Sequence, residues 1–361
     1  MAKPDQLPSL DGIRAVCIVF VIGAHANRSH NFPAHWIGIS GYIFNGSLGV
    51  HIFFVLSGFL ITYLLLKEED REGSVSLKNF YIRRCFRILP VFIAYISALA
   101  CLEALTSLEI SRYQYVSSFT FTKNYWQSTW IDGHLWSLSV EEQFYLFWPV
   151  LFVFAPKKWR FFSATILITS APVFRVWFYV AKWSGLKLYS FMTNMDSLMI
   201  GSATALLVWS CPQIVERILS WRPWLGRLIA IAIVYVIWVL QLNFLAGIFT
   251  VPFAITVQAT AAAYLIASYS LKGGGIGFVL LNFRPIRYFG ILSYSIYIWQ
   301  QPFFSQPSTF GVDKTLVLDF PFNIAFAISV SAISYHCLEK PLLGIRKRFS
   351  TSNESPKLTK S

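Results

Sequence analysis

The chain has 361 residues, of which 55% are hydrophobic, 17% aromatic and only 13% charged, and its mean hydropathy is +0.54. These values exclude an ordinary soluble globular domain, in which about 25% of residues are charged. The net charge of +13 would suit a nucleic-acid partner, but the distribution of the basic residues points to membrane topology instead. Five cysteines without paired spacing predict free thiols, and no metal-binding pattern is present in the sequence.

The first apolar segment, LDGIRAVCIVFVIGAHA, holds Arg14 and His25 eleven residues apart. At 100° per residue, both side chains lie on one helix face, about 16 Å apart along the axis. Ionisable residues are costly in a bilayer, so the pair predicts a functional site. The same segment fits a short secretory signal, with His25 between two alanines at the cleavage site, but Asp5 and Asp11 oppose that interpretation.

Nine more apolar segments are long enough to cross about 30 Å of hydrocarbon, which takes about 20 helical residues. The sequence therefore predicts an all-α, polytopic membrane protein with ten spans, near residues 13–28, 46–66, 85–105, 137–155, 161–180, 190–209, 226–243, 248–270, 288–305 and 320–339. Twenty-three of the 30 Lys and Arg residues fall on the side that includes both termini, and the positive-inside rule makes that side cytoplasmic. The aromatic outer segment 106–136 could fold back onto the membrane face.

Polar residues of several predicted spans are expected to share one depth near the outer side. His25 ends the outward first helix, whereas Glu141, Glu142 and Asp196 lie near the outer ends of the inward fourth and sixth helices. Five further residues are predicted at this level: His51, Ser57, Arg175, Trp299 and Gln300. Clustering around a water-filled cavity is the cheapest way to keep such groups in a membrane.

A basic element, NFYIRRCFRILP, begins the predicted third span on the cytoplasmic side. Arg83, Arg84 and Arg87 are spaced so that their guanidinium groups can converge on one anion. Anchoring of the helix at the cytoplasmic surface explains the same arginines equally well. The sequence therefore leaves two interpretations, an anion-binding site and a membrane anchor.

At the level of motifs, the chain resembles the acyltransferase 3 family of integral membrane acyltransferases. Arg14 and His25 fit the Arg-x10-His pattern of that family, and Arg84 and Arg87 fit its R-x-x-R element. Four longer blocks are similar to family blocks in order and spacing: LGVHIFFVLSGFLIT, LWSLSVEEQFYLFWP, FGILSYSIYIWQQP and HCLEKPLLGIRKR. The resemblance covers the membrane domain, taken as 1–348, and leaves a polar tail at 349–361; it is to the standalone form of the family without an SGNH domain.

The resemblance implies transfer of an acyl group, usually acetyl from acetyl-CoA as co-substrate, to a carbohydrate hydroxyl at the plasma membrane, with no permanently bound cofactor. His25 suits the role of general base, with Glu141 or Glu142 to orient it. Arg14, Arg84, Arg87 and Arg83 are expected to bind CoA phosphates on the cytoplasmic side. The expected acceptor contacts are Asp196, His51, Trp136 and Gln300.

Three points stay open at this stage. His51, Asn194 and Gln300 depart from the residues common in the family blocks, which leaves the acceptor unidentified. A covalent acyl intermediate on His25 or a serine is an alternative to direct transfer. A transporter of a glycan or organic acid would use the same polar cavity, and neither a nucleic-acid partner nor an oligomeric state is indicated.

Overall fold

The computed structural model describes residue 7 and residues 9–126, 128–181 and 189–344. The predicted tail, 349–361, lies outside these residues. The described chain is helical, and its helices are α1 (Leu10–Ala26), α2 (Ala34–Ile43), α3 (Gly46–Glu72), α4 (Leu77–Leu105), α5 (Arg112–Phe119), α6 (Trp130–Gly133), α7 (Leu135–Phe154), α8 (Lys157–Val180), α9 (Phe191–Ser210), α10 (Pro212–Ser220), α11 (Pro223–Leu242), α12 (Gly247–Leu271), α13 (Gly275–Leu281), α14 (Arg284–Ile291), α15 (Ser293–Phe303) and α16 (Phe322–Ser334).

Among the described residues, six helical segments are long and apolar enough to cross a membrane. They are α4, α8, α9, α11, α12 and the stretch Ala34–Glu72, which joins α2 and α3. This confirms the all-α polytopic class. Each of the ten predicted spans falls on a helix, but the number that cross and the side of the termini stay predictions. The ninth predicted span is divided at Leu292 between α14 and α15, and the tenth, α16, continues as a π-helix over Tyr335–Glu339.

Two helices extend beyond the spans predicted for them. Helix α3 runs six residues past the predicted end at 66, and α4 starts eight residues before the predicted start at 85. Charged side chains stabilise these extra turns, since Glu68 pairs with Arg83 at 2.6 Å and Glu69 accepts two hydrogen bonds from Arg160. Apolar length alone does not mark where such helices end.

Helices α3 and α9 approach each other closely at the centre of the bundle, where glycines face the opposite backbone. A Cβ added to Gly58 would lie 1.8 Å from the carbonyl oxygen of Leu198, and one added to Gly201 would lie 2.1 Å from that of Val55. Small residues permit such approach between membrane helices, where van der Waals packing replaces the hydrophobic effect. This contact fixes the position of α3 in the bundle, and therefore the positions of Ser57 and Val50 on that helix.

The outer segment 106–136 is compact. Ser111 and Gln114 form a reciprocal capping box at the start of α5, a short 3-10 turn follows at Lys123–Tyr125, and α6 leads directly into α7. Lys123 and Asp132 form a buried ion pair within it. The segment therefore holds Trp130 firmly over the end of α1.

Replacement of Gly201 by alanine should destabilise the protein. A side-chain carbon has no space against the α3 backbone, and overpacking of this kind costs about 3 kcal/mol. Thermal unfolding of purified protein in detergent measures the loss. Gly38→Ala is the matched control, since an added Cβ there meets nothing within 4 Å and alanine favours the interior of α2. Equal stability of the two variants would contradict this account of the α3–α9 contact.

Candidate active site

His25 lies in the last turn of α1, and its partner is an amide. Its Nδ1 lies 3.1 Å from Oε1 of Gln300, a fully buried residue of α15. An amide oxygen only accepts, so Nδ1 carries the proton and Nε2 keeps its lone pair. The edge of Trp130 packs against the ring, with centroids 5.0 Å apart. The arrangement fixes both the tautomer and the orientation of a histidine whose second nitrogen is available as a base.

His25 opens onto a cavity of about 500 Å³, here called the histidine cavity. Gly46, at the start of α3, lies beside this ring, since a Cβ added there would lie 4.0 Å from Nε2. Much of the wall is aromatic, with side chains from the outer segment, α7, α15 and the residues before α9: Trp126, Trp130, Trp136, Tyr189 and Tyr297. Trp136 was predicted to contact the acceptor, and it does line this cavity. Its contact with an acceptor stays a prediction.

The expected pairing of His25 with a glutamate is not found in the structure. Glu141 instead accepts hydrogen bonds from Ser57 and from Tyr145, the latter at 2.5 Å. Glu142 has one buried carboxyl oxygen without a hydrogen-bond partner among the described residues, and Glu142 lines neither the histidine cavity nor the cavity that holds Glu141.

The register of α1 against α3 explains why the depth prediction failed for Glu141. Gly49 of α3 lies against the carbonyl of Cys17. Ser57 follows Gly49 by eight residues, so it lies about 12 Å further along α3. Since α1 and α3 run in opposite directions, Ser57 and its partner Glu141 lie towards the Arg14 end of α1 rather than the His25 end. Glu141 therefore does not meet the end of α1 as the sequence suggested, although Trp136, five residues earlier in α7, does line the histidine cavity.

Arg14 and Glu141 share a second, smaller cavity of about 90 Å³. Arg84 and Arg87 of α4 also line it, and we call it the arginine–glutamate cavity. Arg14 is held by Asp11 at 2.9 Å, and the Arg84 guanidinium lies 4.7 Å from the ring centre of Tyr145. Within the described residues, neither Arg84 nor Arg87 forms an ion pair. Two guanidinium groups thus face the cavity without a carboxylate of their own.

Arg84 and Arg87 also line a third cavity of about 300 Å³ between α3 and α4, here called the mouth. Arg83 faces only the mouth, and Glu68 neutralises it. The mouth and the arginine–glutamate cavity therefore share two arginines. The structure brings Arg14, Arg84 and Arg87 together, as predicted, and sets Arg83 apart from them.

A constriction separates the arginine–glutamate cavity from the histidine cavity. Val50 and Tyr297 line both. The Tyr297 hydroxyl hydrogen-bonds to the carbonyl of His134, at 2.9 Å, and to Ser137. His134 itself is buried against Gln301, and burial lowers the pKa of its imidazole to about 3.

Two of the predicted acceptor contacts lie away from the histidine cavity. Asp196 is fully buried and pairs with Arg175 at 2.6 Å, while Thr256 donates to its second oxygen at 2.6 Å. His51 hydrogen-bonds to Asn194 at 3.0 Å. Arg175 and Asn194 were named from the sequence as well. The sequence could not show that Arg175 pairs with Asp196 or that Asn194 hydrogen-bonds to His51. The third, Gln300, contacts His25 rather than the cavity.

Replacement of Asp196 by asparagine should reduce stability rather than act on the acceptor. The change leaves the Arg175 guanidinium buried without its counter-charge, which typically costs about 3–5 kcal/mol. Thermal unfolding in detergent measures the loss. The double variant Arg175→Met, Asp196→Leu should recover most of it, since an apolar pair leaves no charge uncompensated. A stable Asp196→Asn protein would restore Asp196 as a candidate contact for the acceptor.

Sequence reasoning missed His134, Arg28 and Lys123 as residues of the site. Arg28 and Lys123 entered the sequence argument only as positive charges outside the membrane, and His134 lies between two apolar blocks. All three line the histidine cavity. The sequence did contain a signal for each of them. Arg28 lies one turn after His25, and Lys123 and His134 lie in the aromatic segment that contains Trp126 and Trp130.

These features define a multi-pass membrane protein whose interior holds a row of polar cavities, with arginines towards one end and a histidine at the other. The family model described as "Acyltransferase domain" matches residues 7–336. The chain therefore belongs to the acyltransferase 3 family, which confirms the resemblance carried by its motifs.

Curated relatives share this match along nearly the whole chain. A protein of Staphylococcus aureus (strain COL), provisionally named as an O-acetyltransferase, is 28% identical over 94% of this chain and 58% of its own length. A Bacillus subtilis protein, provisionally named as a peptidoglycan O-acetyltransferase, is 28% identical over 93% and 55%. Peptidoglycan O-acetyltransferase OatA of Listeria monocytogenes is 27% identical over 93% and 56%. The chain thus spans a little more than half the length of these relatives. No solved structure matches it.

Proposed function

We propose that the protein is an O-acetyltransferase of the plasma membrane that moves an acetyl group from acetyl-CoA to a carbohydrate hydroxyl. One observation carries this proposal: arginine-lined cavities and the cavity of His25 lie in a row, and they share Arg84 and Arg87 at one junction and Val50 and Tyr297 at the other. A phosphate-bearing donor and a hydroxyl acceptor can therefore approach one reaction point from opposite ends. The names of the relatives favour a glycan acceptor such as peptidoglycan.

The donor would bind by its phosphates at the mouth and in the arginine–glutamate cavity. Guanidinium groups form charge-assisted, often bidentate hydrogen bonds to phosphate. Arg84 and Arg87 form no ion pair within the described residues, although Glu141 lines the same cavity, so their guanidinium groups remain able to bind phosphate. The basic residues around the mouth agree with the predicted cytoplasmic side, where CoA is available.

The acetyl group would then pass the Tyr297 constriction towards His25. Arg14 and His25 are about 16 Å apart along α1, a distance of the order that an extended pantetheine arm spans. Tyr297 closes the direct line between them, so its side chain must turn aside, breaking its hydrogen bonds to Ser137 and the His134 carbonyl.

At His25 the chemistry is general-base catalysis. Nε2 takes the proton of the acceptor hydroxyl, the oxygen attacks the thioester carbonyl, and the tetrahedral intermediate expels the CoA thiolate. The imidazolium returns its proton to that thiolate, so the atoms and charges balance. Gln300 keeps Nδ1 protonated throughout. An amide stabilises the cation less than a carboxylate would, so orientation is its main contribution.

The acceptor would lie in the histidine cavity. Trp126, Trp130 and Trp136 give it broad apolar faces, and side-chain amides and hydroxyls lie between them. Sugar rings have apolar faces of matching size that pack on aromatic rings. A polar cavity with aromatic walls therefore suits a carbohydrate better than a simple organic anion, which a transporter would select.

Replacement of His25 by alanine should abolish transfer, because it removes the imidazole that would take the proton of the acceptor hydroxyl. General-base catalysis contributes about 10²–10⁴-fold, and release of CoA in proteoliposomes supplied with acceptor measures the loss. His35→Ala is the matched control, since His35 is exposed on α2 and lines none of the three cavities. Wild-type CoA release by His25→Ala would reject the catalytic role and favour the transporter hypothesis.

Replacement of Arg87 by glutamine should raise KM for acetyl-CoA while kcat at saturation changes much less. Loss of hydrogen bonds to a charged phosphate costs about 1.5–3 kcal/mol, or about 10–150-fold in KM. Steady-state kinetics at several salt concentrations give both constants. Arg217→Gln is the control, because Arg217 is exposed on α10 and away from the mouth. An unchanged KM would return Arg87 to the anchoring interpretation.

A further inference from the structure

The histidine cavity carries an unusual set of charges for a sugar site. Among the described residues, its permanently charged wall residues are Arg28 and Lys123, and no aspartate or glutamate lines it. The positive charge of Lys123 is neutralised by an ion pair with the buried Asp132. The remaining positive charge belongs to Arg28, at the outer end of α1 and three residues after His25.

Arg28 has no acidic partner in the described part of the chain. Its guanidinium lies 4.5 Å from the ring centre of Trp130, a cation–π contact that positions the group but leaves its hydrogen-bond donors available. Asp319, in the segment between α15 and α16, already pairs with His30 at 2.5 Å. The guanidinium group of Arg28 is thus held at the cavity with its hydrogen-bond donors available and its positive charge uncompensated.

A second donor beside His25 is also unused. Nε1 of Trp130 is buried and has no hydrogen-bond partner within the described residues. Trp130 lines the cavity and packs on His25. A buried donor without a partner is costly, so Trp130 and Arg28 together favour a ligand that offers acceptor oxygens.

From these observations we propose that the acceptor is an anionic carbohydrate, and that Arg28 binds its negatively charged group while a neighbouring hydroxyl lies at Nε2 of His25. The shared chemistry is an oxyanion on the sugar, either a carboxylate or a phosphate ester. This inference rests on the proposed function, because it assigns the substrate class of the same cavity. Arg28 is a specificity-determining residue in this account, and the aromatic walls hold the neutral part of the sugar.

Binding of matched oligosaccharides tests the proposal. The full chain in lipid nanodiscs is titrated with a uronate-containing trisaccharide, its carboxamide and the corresponding phosphate ester, and Kd is measured by calorimetry. At least one anionic form should bind 10-fold or more tightly than the carboxamide, which separates carboxylate from phosphate as the preferred group. In Arg28→Gln the ratio should fall close to one, and in Arg28→Lys it should be intermediate. Arg112→Gln, at an exposed arginine of α5 outside the cavity, should keep the wild-type ratio.

Three results would overturn the proposal: equal binding of the charged and neutral forms by the wild type, a preference that survives in Arg28→Gln, or no binding of any probe. A transfer assay separates this inference from the proposed function. If neutral sugars are acetylated as well as anionic ones, the acetyltransferase stands and the anionic acceptor falls. If no sugar is acetylated but the Arg28-dependent preference is present, the anion site stands and the acetyltransferase falls.

Discussion

A charged or hydrogen-bonding group inside a membrane protein must find a partner within the protein or at a hydrated cavity, because hydrocarbon offers none. This constraint divides the polar interior of the chain into two sets. Arg175 and Asp196 satisfy each other, as do His51 and Asn194, and these pairs join helices. Arg84, Arg87 and Nε2 of His25 lack such partners among the described residues and face cavities instead. The residues of the second set are the candidates for function. In the sequence the two sets cannot be told apart, because both consist of single polar residues in apolar segments.

The close approach of α3 and α9 supports this division. Gly58 and Gly201 let the two backbones touch, which fixes α3 in the middle of the bundle. Helix α3 then contributes to the constriction and to the arginine–glutamate cavity: Val50 lines the constriction, and Ser57 holds Glu141 beside the arginines. A packing feature without any polar side chain thus sets the spacing of the functional groups. The outer segment completes the site by holding Trp130 over His25.

The sequence predicted what depends on periodicity and composition. The helical class and the order of the spans follow from apolar length, and the opposite positions of Arg14 and His25 follow from helical geometry. It failed where the answer depends on how two helices are offset. Glu141 was placed beside His25 because both lie near the same predicted membrane side, but the offset of α1 against α3 brings it to Arg14. Likewise, nothing in the sequence shows that Asp196 is already paired with Arg175, or that Gln300 replaces a carboxylate at His25.

The constriction at Val50 and Tyr297 has a consequence beyond the path of the acetyl group. With the mouth facing the cytoplasm, as the distribution of basic residues predicts, a continuous water-filled route through the protein would let protons and ions cross the bilayer. The hydrogen bonds of Tyr297 to Ser137 and to the His134 carbonyl hold an aromatic plug in that route. Passage between the two cavities then depends on these two hydrogen bonds, so we expect a protein with Tyr297 in this position to limit the leak of ions.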